Sequence, residues 1–75
     1  MREIGRFIDD MAEEDLPVQL VVWMRPDRSW GARIADAESP HDILDRRGDR
    51  ILHVVRDTMD EALEALDLLC GVRGN

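Results

Sequence analysis

The sequence has no lysine: all ten of its basic residues are arginine. Its cations are therefore planar forks suited to pairing with carboxylates, not mobile ammonium points. Cys70 is the single cysteine, which excludes an internal disulfide and leads us to expect a reducing, cytoplasmic setting. No apolar run approaches the roughly 20 residues needed to span a bilayer. The first twenty residues carry six acids and no long apolar stretch, so no signal peptide is expected. Positive charge is scarce overall, with 10 basic residues against 17 acidic ones and a net charge of -7. Direct binding to nucleic acid needs cations to neutralise phosphates, and an anionic membrane makes the same demand, so neither partner is expected. A soluble protein that meets a basic protein is.

What is present suits one small domain covering residues 1–75. Apolar residues make up 44% of the 75, enough for a folded chain. At this length the core is thin and the architecture has two layers. A deep, water-excluding cleft is hard to build at this size, which favours binding over catalysis.

Arg2 to Asp15 reads as a helix, because Ile4, Phe7, Ile8 and Met11 recur at three- and four-residue spacing. Leu16 and Pro17 end it, since the residue before a proline is pushed out of the helical region. Val18 to Arg25 and Trp30 to Ala37 read as strands joined through a turn at Pro26, Asp27, Arg28 and Ser29. With a simple four-residue turn, Arg25 faces Trp30 and Trp23 faces Ala32. Val21, Trp23, Trp30, Ala32 and Ile34 then share one sheet face. Val18, Leu20, Val22, Met24, Arg33 and Ala35 share the other. Glu38 to Asp49 is irregular: Ser39, Pro40 and Asp42 suit a short helical turn, Ile43 and Leu44 fold back to the core, and Gly48 makes a bend. Arg50 to Val55 reads as a third strand. Thr58 and Glu61 form a capping box that opens a last helix. Met59, Ala62, Leu63, Leu66, Leu69 and Cys70 make its apolar face. Gly71 is expected to stop this helix, leaving residues 72–75 as a frayed tail. The expected fold is α+β, a three-stranded antiparallel sheet packed against two helices in the order α-β-β-β-α.

The charge is unevenly spread. Residues 1–17 and 57–75 each carry a net -4, residues 18–37 carry +1, and residues 38–56 are balanced. The acidic excess therefore sits on the two helices. Asp9, Asp10, Glu13, Asp57, Asp60, Glu61 and Glu64 are the candidate partner-binding residues. Trp23 and Trp30, with Arg25, Arg28 and Arg33 nearby, are candidate anchors, since tryptophan serves cores and interfaces alike.

Signals for chemistry are weak. His41, His53 and Cys70 match no zinc spacing, so no metal and no cofactor are expected. His41 falls in a loop and His53 in a strand beside Ile51 and Val55. Cys70 lies on an apolar helix face without a base beside it, and reads as a small core residue. The pairs among Asp9, Asp10, Glu13 and Glu14 lack the asymmetric environments that general acid–base work requires. Gly5, Gly31, Gly48, Gly71 and Gly74 form no phosphate loop. The chain is expected not to be an enzyme.

In size, charge and compactness the chain resembles small phage-encoded inhibitors, including anti-CRISPR proteins that mimic DNA. That resemblance implies an inhibitor whose acidic helices occupy a nucleic-acid-binding site on a basic partner. The stretch Val18 to Leu69 also resembles the partial RNase-H-like fold of the HicB antitoxin family. Its carrying residues are Thr58, Glu61 and Ala62 in Asp57-Thr58-Met59-Asp60-Glu61-Ala62-Leu63, after a hairpin and a further strand. This resemblance implies an antitoxin module that neutralises a small toxin. The chain departs from that family in having a helix before the first strand, in lacking a Pro-Gly-Cys type turn, and in having no DNA-binding extension. A third expectation is a homodimeric adaptor that associates through the uncovered sheet face.

Overall fold

A computed structural model describes residues 2–38 and 52–73 of the chain. The elements run α1 (Arg2–Glu13), β1 (Val18–Met24), β2 (Trp30–Asp36), β3 (His53–Arg56) and α2 (Met59–Arg73). This is the α-β-β-β-α order expected, with the strands in one antiparallel sheet of order β1-β2-β3. The turn expected around Ser39, Pro40 and Asp42, with Ile43, Leu44, Gly48 and His41, lies outside the described residues. So do the expected start of the third strand at Arg50 and the last two residues.

Helix α1 ends before the proline takes effect. The Leu16 N–H donates to the Met11 carbonyl at 2.9 Å and the Asp15 N–H to that of Ala12 at 3.1 Å, with Asp15 at φ 58°. This is a Schellman closure in which aspartate takes the left-handed position that glycine normally fills.

The hairpin corrects the expected register. Arg25 donates its N–H to the Ser29 carbonyl at 2.8 Å, and the Arg28 N–H donates to the Arg25 carbonyl at 2.9 Å. The loop is therefore the odd-length set Pro26, Asp27 and Arg28, with Arg28 at φ 71°, the position that usually carries glycine in this loop class. An odd loop moves the pairing by one residue, so Met24 faces Trp30, Trp23 faces Gly31 and Val22 faces Ala32. A one-residue slip exchanges faces. Trp23 and Trp30 thus lie on opposite sides of the sheet, not together. Asp27 holds the loop by accepting the Ser29 hydroxyl at 2.6 Å and its N–H at 2.9 Å, and these bonds hold the Asp27 carboxyl below its ordinary value.

Both helices cover one face. Ile4, Phe7 and Met11 of α1, Ala62, Leu66 and Cys70 of α2, Ala32 and Ile34 of β2, and Leu52 form a single buried cluster. Val18, Leu20, Val22, Trp30 and Val54 pack against it from the same side of the sheet. Leu52 also extends the β2–β3 pairing, since its carbonyl accepts the Ile34 N–H at 3.0 Å. The opposite face carries Gln19, Val21, Trp23, Gly31, Arg33, Ala35, His53 and Val55, by strand alternation from the observed register.

Helix α2 starts as expected: the Glu61 N–H donates to Thr58 Oγ1 at 3.1 Å and the Thr58 hydroxyl donates to Glu61 at 2.9 Å. Its end is a second correction. The helix runs through Gly71 to Arg73, so Gly71 is not its stop and Val72 is not a tail residue. Gly71 serves packing instead. A Cβ there would stand 3.0 Å from Glu3 Cγ, so the bare glycine lets α1 approach.

Candidate functional site

Two surfaces carry the candidate residues. The first is the helical side. Asp9, Glu13, Asp57, Asp60, Glu61 and Glu64 are exposed there, and Asp10 is half-buried. Glu61 is committed to the capping box that starts α2. On α1 the candidate acids Asp9, Asp10 and Glu13 lie in the second half, after Arg2, Glu3 and Arg6 in the first. Acids near a helix C-terminus oppose the macrodipole, so this arrangement costs the helix stability instead of adding to it.

An open groove of about 810 Å³ runs beside α2. Its apolar lining includes Leu68, 68% exposed, and Val72, one turn on and 61% exposed, with Ala65. Glu3, Glu61 and Glu64 border it, with Arg56 at the β3 side and Arg6 on α1. Arg6 lies 3.7 Å from Glu3, and Arg56 Nη1 donates to the Val55 carbonyl at 2.7 Å. Two further residues of this side escape a reading from sequence. Asp67 Oδ1 accepts the N–H groups of Glu3 and Ile4, each at 2.9 Å. It is an N-terminal cap delivered to α1 from another helix, and no local spacing announces it. Val72 was expected in the tail; its four-residue spacing from Leu68 was the signal for a shared stripe.

The second surface is the sheet face opposite the helices. The Trp23 ring lies over Gly31, where a Cβ would overlap it. His53 meets that ring edge-on, with centroids 5.3 Å apart and planes at 72°, and the Arg33 guanidinium stands 5.9 Å from its centroid. These contacts orient the indole and leave it half-buried. Trp30, the other candidate anchor, packs against the core on the helix side. A glycine inside a strand marks such close approaches, and Gly31 was the available signal.

Cys70 is buried, and burial, with the Asp67 and Glu3 carboxylates, pushes its thiol up to about 12, where the thiolate is scarce at neutral pH. Among the described residues no three His, Cys, Asp or Glu side chains stand together as metal ligands, and no helix is long and apolar enough to cross a membrane. Comparison with family models, with curated proteins and with solved structures finds no match for the chain.

Proposed function

We propose that this protein is a non-catalytic inhibitor that binds a basic protein through its helical side and occupies a site where that partner takes nucleic acid. The observation behind this reading is the groove along α2, whose lining includes the exposed Leu68 and Val72 together with Glu61 and Glu64. Exposed apolar side chains flanked by Glu61 and Glu64 suit a basic amphipathic element, which sets apolar anchors against Leu68 and Val72 and cations against the two glutamates. Asp9, Glu13, Asp57 and Asp60 extend the negative field beyond the groove. A field of this sign steers a basic partner and makes its capture sensitive to salt. In this reading the protein acts as the anti-CRISPR-like mimics do, by competing with nucleic acid for cations.

The test is capture of the partner from an extract of the native host at about 0.05 M and 0.5 M salt, followed by competition with double-stranded DNA. The expected result is a basic partner that is lost at high salt and displaced by DNA. A partner held equally at both salts and indifferent to DNA overturns the reading. A second reading, a HicB-like antitoxin, draws on the Thr58–Glu61 capping box that opens α2 after the hairpin and third strand. It predicts capture of a small toxin in place of a nucleic-acid-binding protein.

A further inference from the structure

Among the described residues, the outer edge of β1 has an open hydrogen-bonding row. The bonds that frame the hairpin, Ala37 N–H to the Pro17 carbonyl at 3.0 Å and Arg25 N–H to the Ser29 carbonyl at 2.8 Å, place the odd-numbered residues of β1 in bonded pairs with β2. In an antiparallel ladder the intervening residues direct their N–H and C=O groups to the other side. Those residues are Val18, Leu20, Val22 and Met24, and β1 is the terminal strand of the sheet. Natural edges are usually blunted with charge, an internal proline or a bulge. Val18–Met24 reads VQLVVWM, without a charge or a proline, and pairs with β2 residue for residue.

The two ends of this edge complement each other. Leu16, 48% exposed, precedes it and Met24, 61% exposed, closes it. Exposed acids Glu13, Glu14 and Asp15 lie at the first end, and exposed Arg25 and Arg28 at the second. A two-fold axis that pairs β1 antiparallel with another β1 brings unlike ends together twice. Centred on Leu20, it sets Leu16 beside the partner's Met24 and Asp15 beside the partner's Arg25. A parallel pairing would put acid beside acid.

We propose that the protein pairs with a second copy of itself along the outer edge of β1, antiparallel and about a two-fold axis, to form a continuous six-stranded sheet. Because bonded residues face bonded residues, the helices of both copies lie on one side of that sheet and Trp23 of both on the other. The groove is lined by α2, the first turns of α1 and Arg56 of β3, with no residue of β1, so each dimer keeps two grooves. This inference is independent of what the grooves bind.

The test is sedimentation equilibrium of the full chain between about 1 µM and 1 mM, with amide exchange by NMR at the two ends of that range. The expected result is a mass rising to twice the 8.6 kDa of one chain, with the Leu20 and Val22 amides slowed as it rises. Met24→Glu, at an exposed site, sets an acid against the partner's acidic end and weakens association by roughly tenfold or more. Adding Leu16→Arg to that chain gives the meeting ends opposite charges again and restores association. A monomer at all concentrations overturns the proposal. So does a dimer whose Leu20 and Val22 amides exchange at a concentration-independent rate, or one indifferent to Met24→Glu.

Discussion

The Asp67 carboxylate of α2 accepts two backbone N–H groups of α1, from Glu3 and Ile4, each at 2.9 Å. The first N–H groups of a helix have no partner within it, and a carboxylate there also meets the favourable end of the dipole. Thus one acid of the negative excess joins the two helices. Asp67→Ala is expected to lower stability by about 1–2 kcal/mol, while Glu64→Ala, exposed nearby, changes it little. Urea unfolding followed by circular dichroism checks both. Equal effects would contradict the assignment.

The Trp23 ring fills the space where a Gly31 side chain would stand. Gly31→Ala is therefore expected to cost about 1–3 kcal/mol through displacement of the indole. Removing the ring first removes the conflict, so Gly31→Ala is nearly neutral in a Trp23→Ala background. A double-mutant cycle reads this coupling, and additive costs would contradict it.

Asp15 and Arg28 hold left-handed backbone at φ 58° and 71° without being glycine. Asp15→Gly and Arg28→Gly are each expected to raise stability by about 0.5–1 kcal/mol. At Asp15 the gain includes removal of a negative charge from the unfavourable end of α1. Thermal unfolding midpoints measure the two gains, which add because the sites are separate elements.

The buried Cys70 thiol ionises at about 12, against an ordinary value of 9.0. The folded state therefore holds this proton more tightly than the unfolded chain. Its contribution is complete below pH 9.0 and is lost progressively as the pH rises toward about 12. Urea midpoints across that range are expected to fall more steeply for the native chain than for Cys70→Ala. Alkylation by iodoacetamide at pH 8 is expected to be slow until the chain unfolds.

Element type and order were legible because they rest on local signals: the spacing of Ile4, Phe7 and Met11, the β-rich run from Val18, and the Thr58–Glu61 box. The register was not, because it hangs on whether Ser29 belongs to the turn or to the ladder. The Arg25–Ser29 bond decides this, and no single residue announces it. Gly71 misled for a related reason. A glycine late in a helix suits a stop or a close approach, and only Glu3, distant in sequence, distinguishes the two. The acids at the candidate surface were identified by count. The structure sets Glu61, committed to the α2 capping box, apart from exposed acids such as Asp9 and Glu64, and adds Asp67, which was not among the candidates and caps α1.

That division sets the measurement closest to the central claim. Asp9→Arg, Glu13→Arg, Asp60→Arg and Glu64→Arg, combined in one chain, reverse the exposed acids and spare both caps. Affinity for the captured partner is measured by titration calorimetry over a range of salt for the native and reversed chains. The acidic-face account predicts that native affinity falls steeply with salt and that reversal weakens it by about 100-fold or more at low salt, with the fold retained. Affinity independent of salt and unchanged by the four reversals would contradict it.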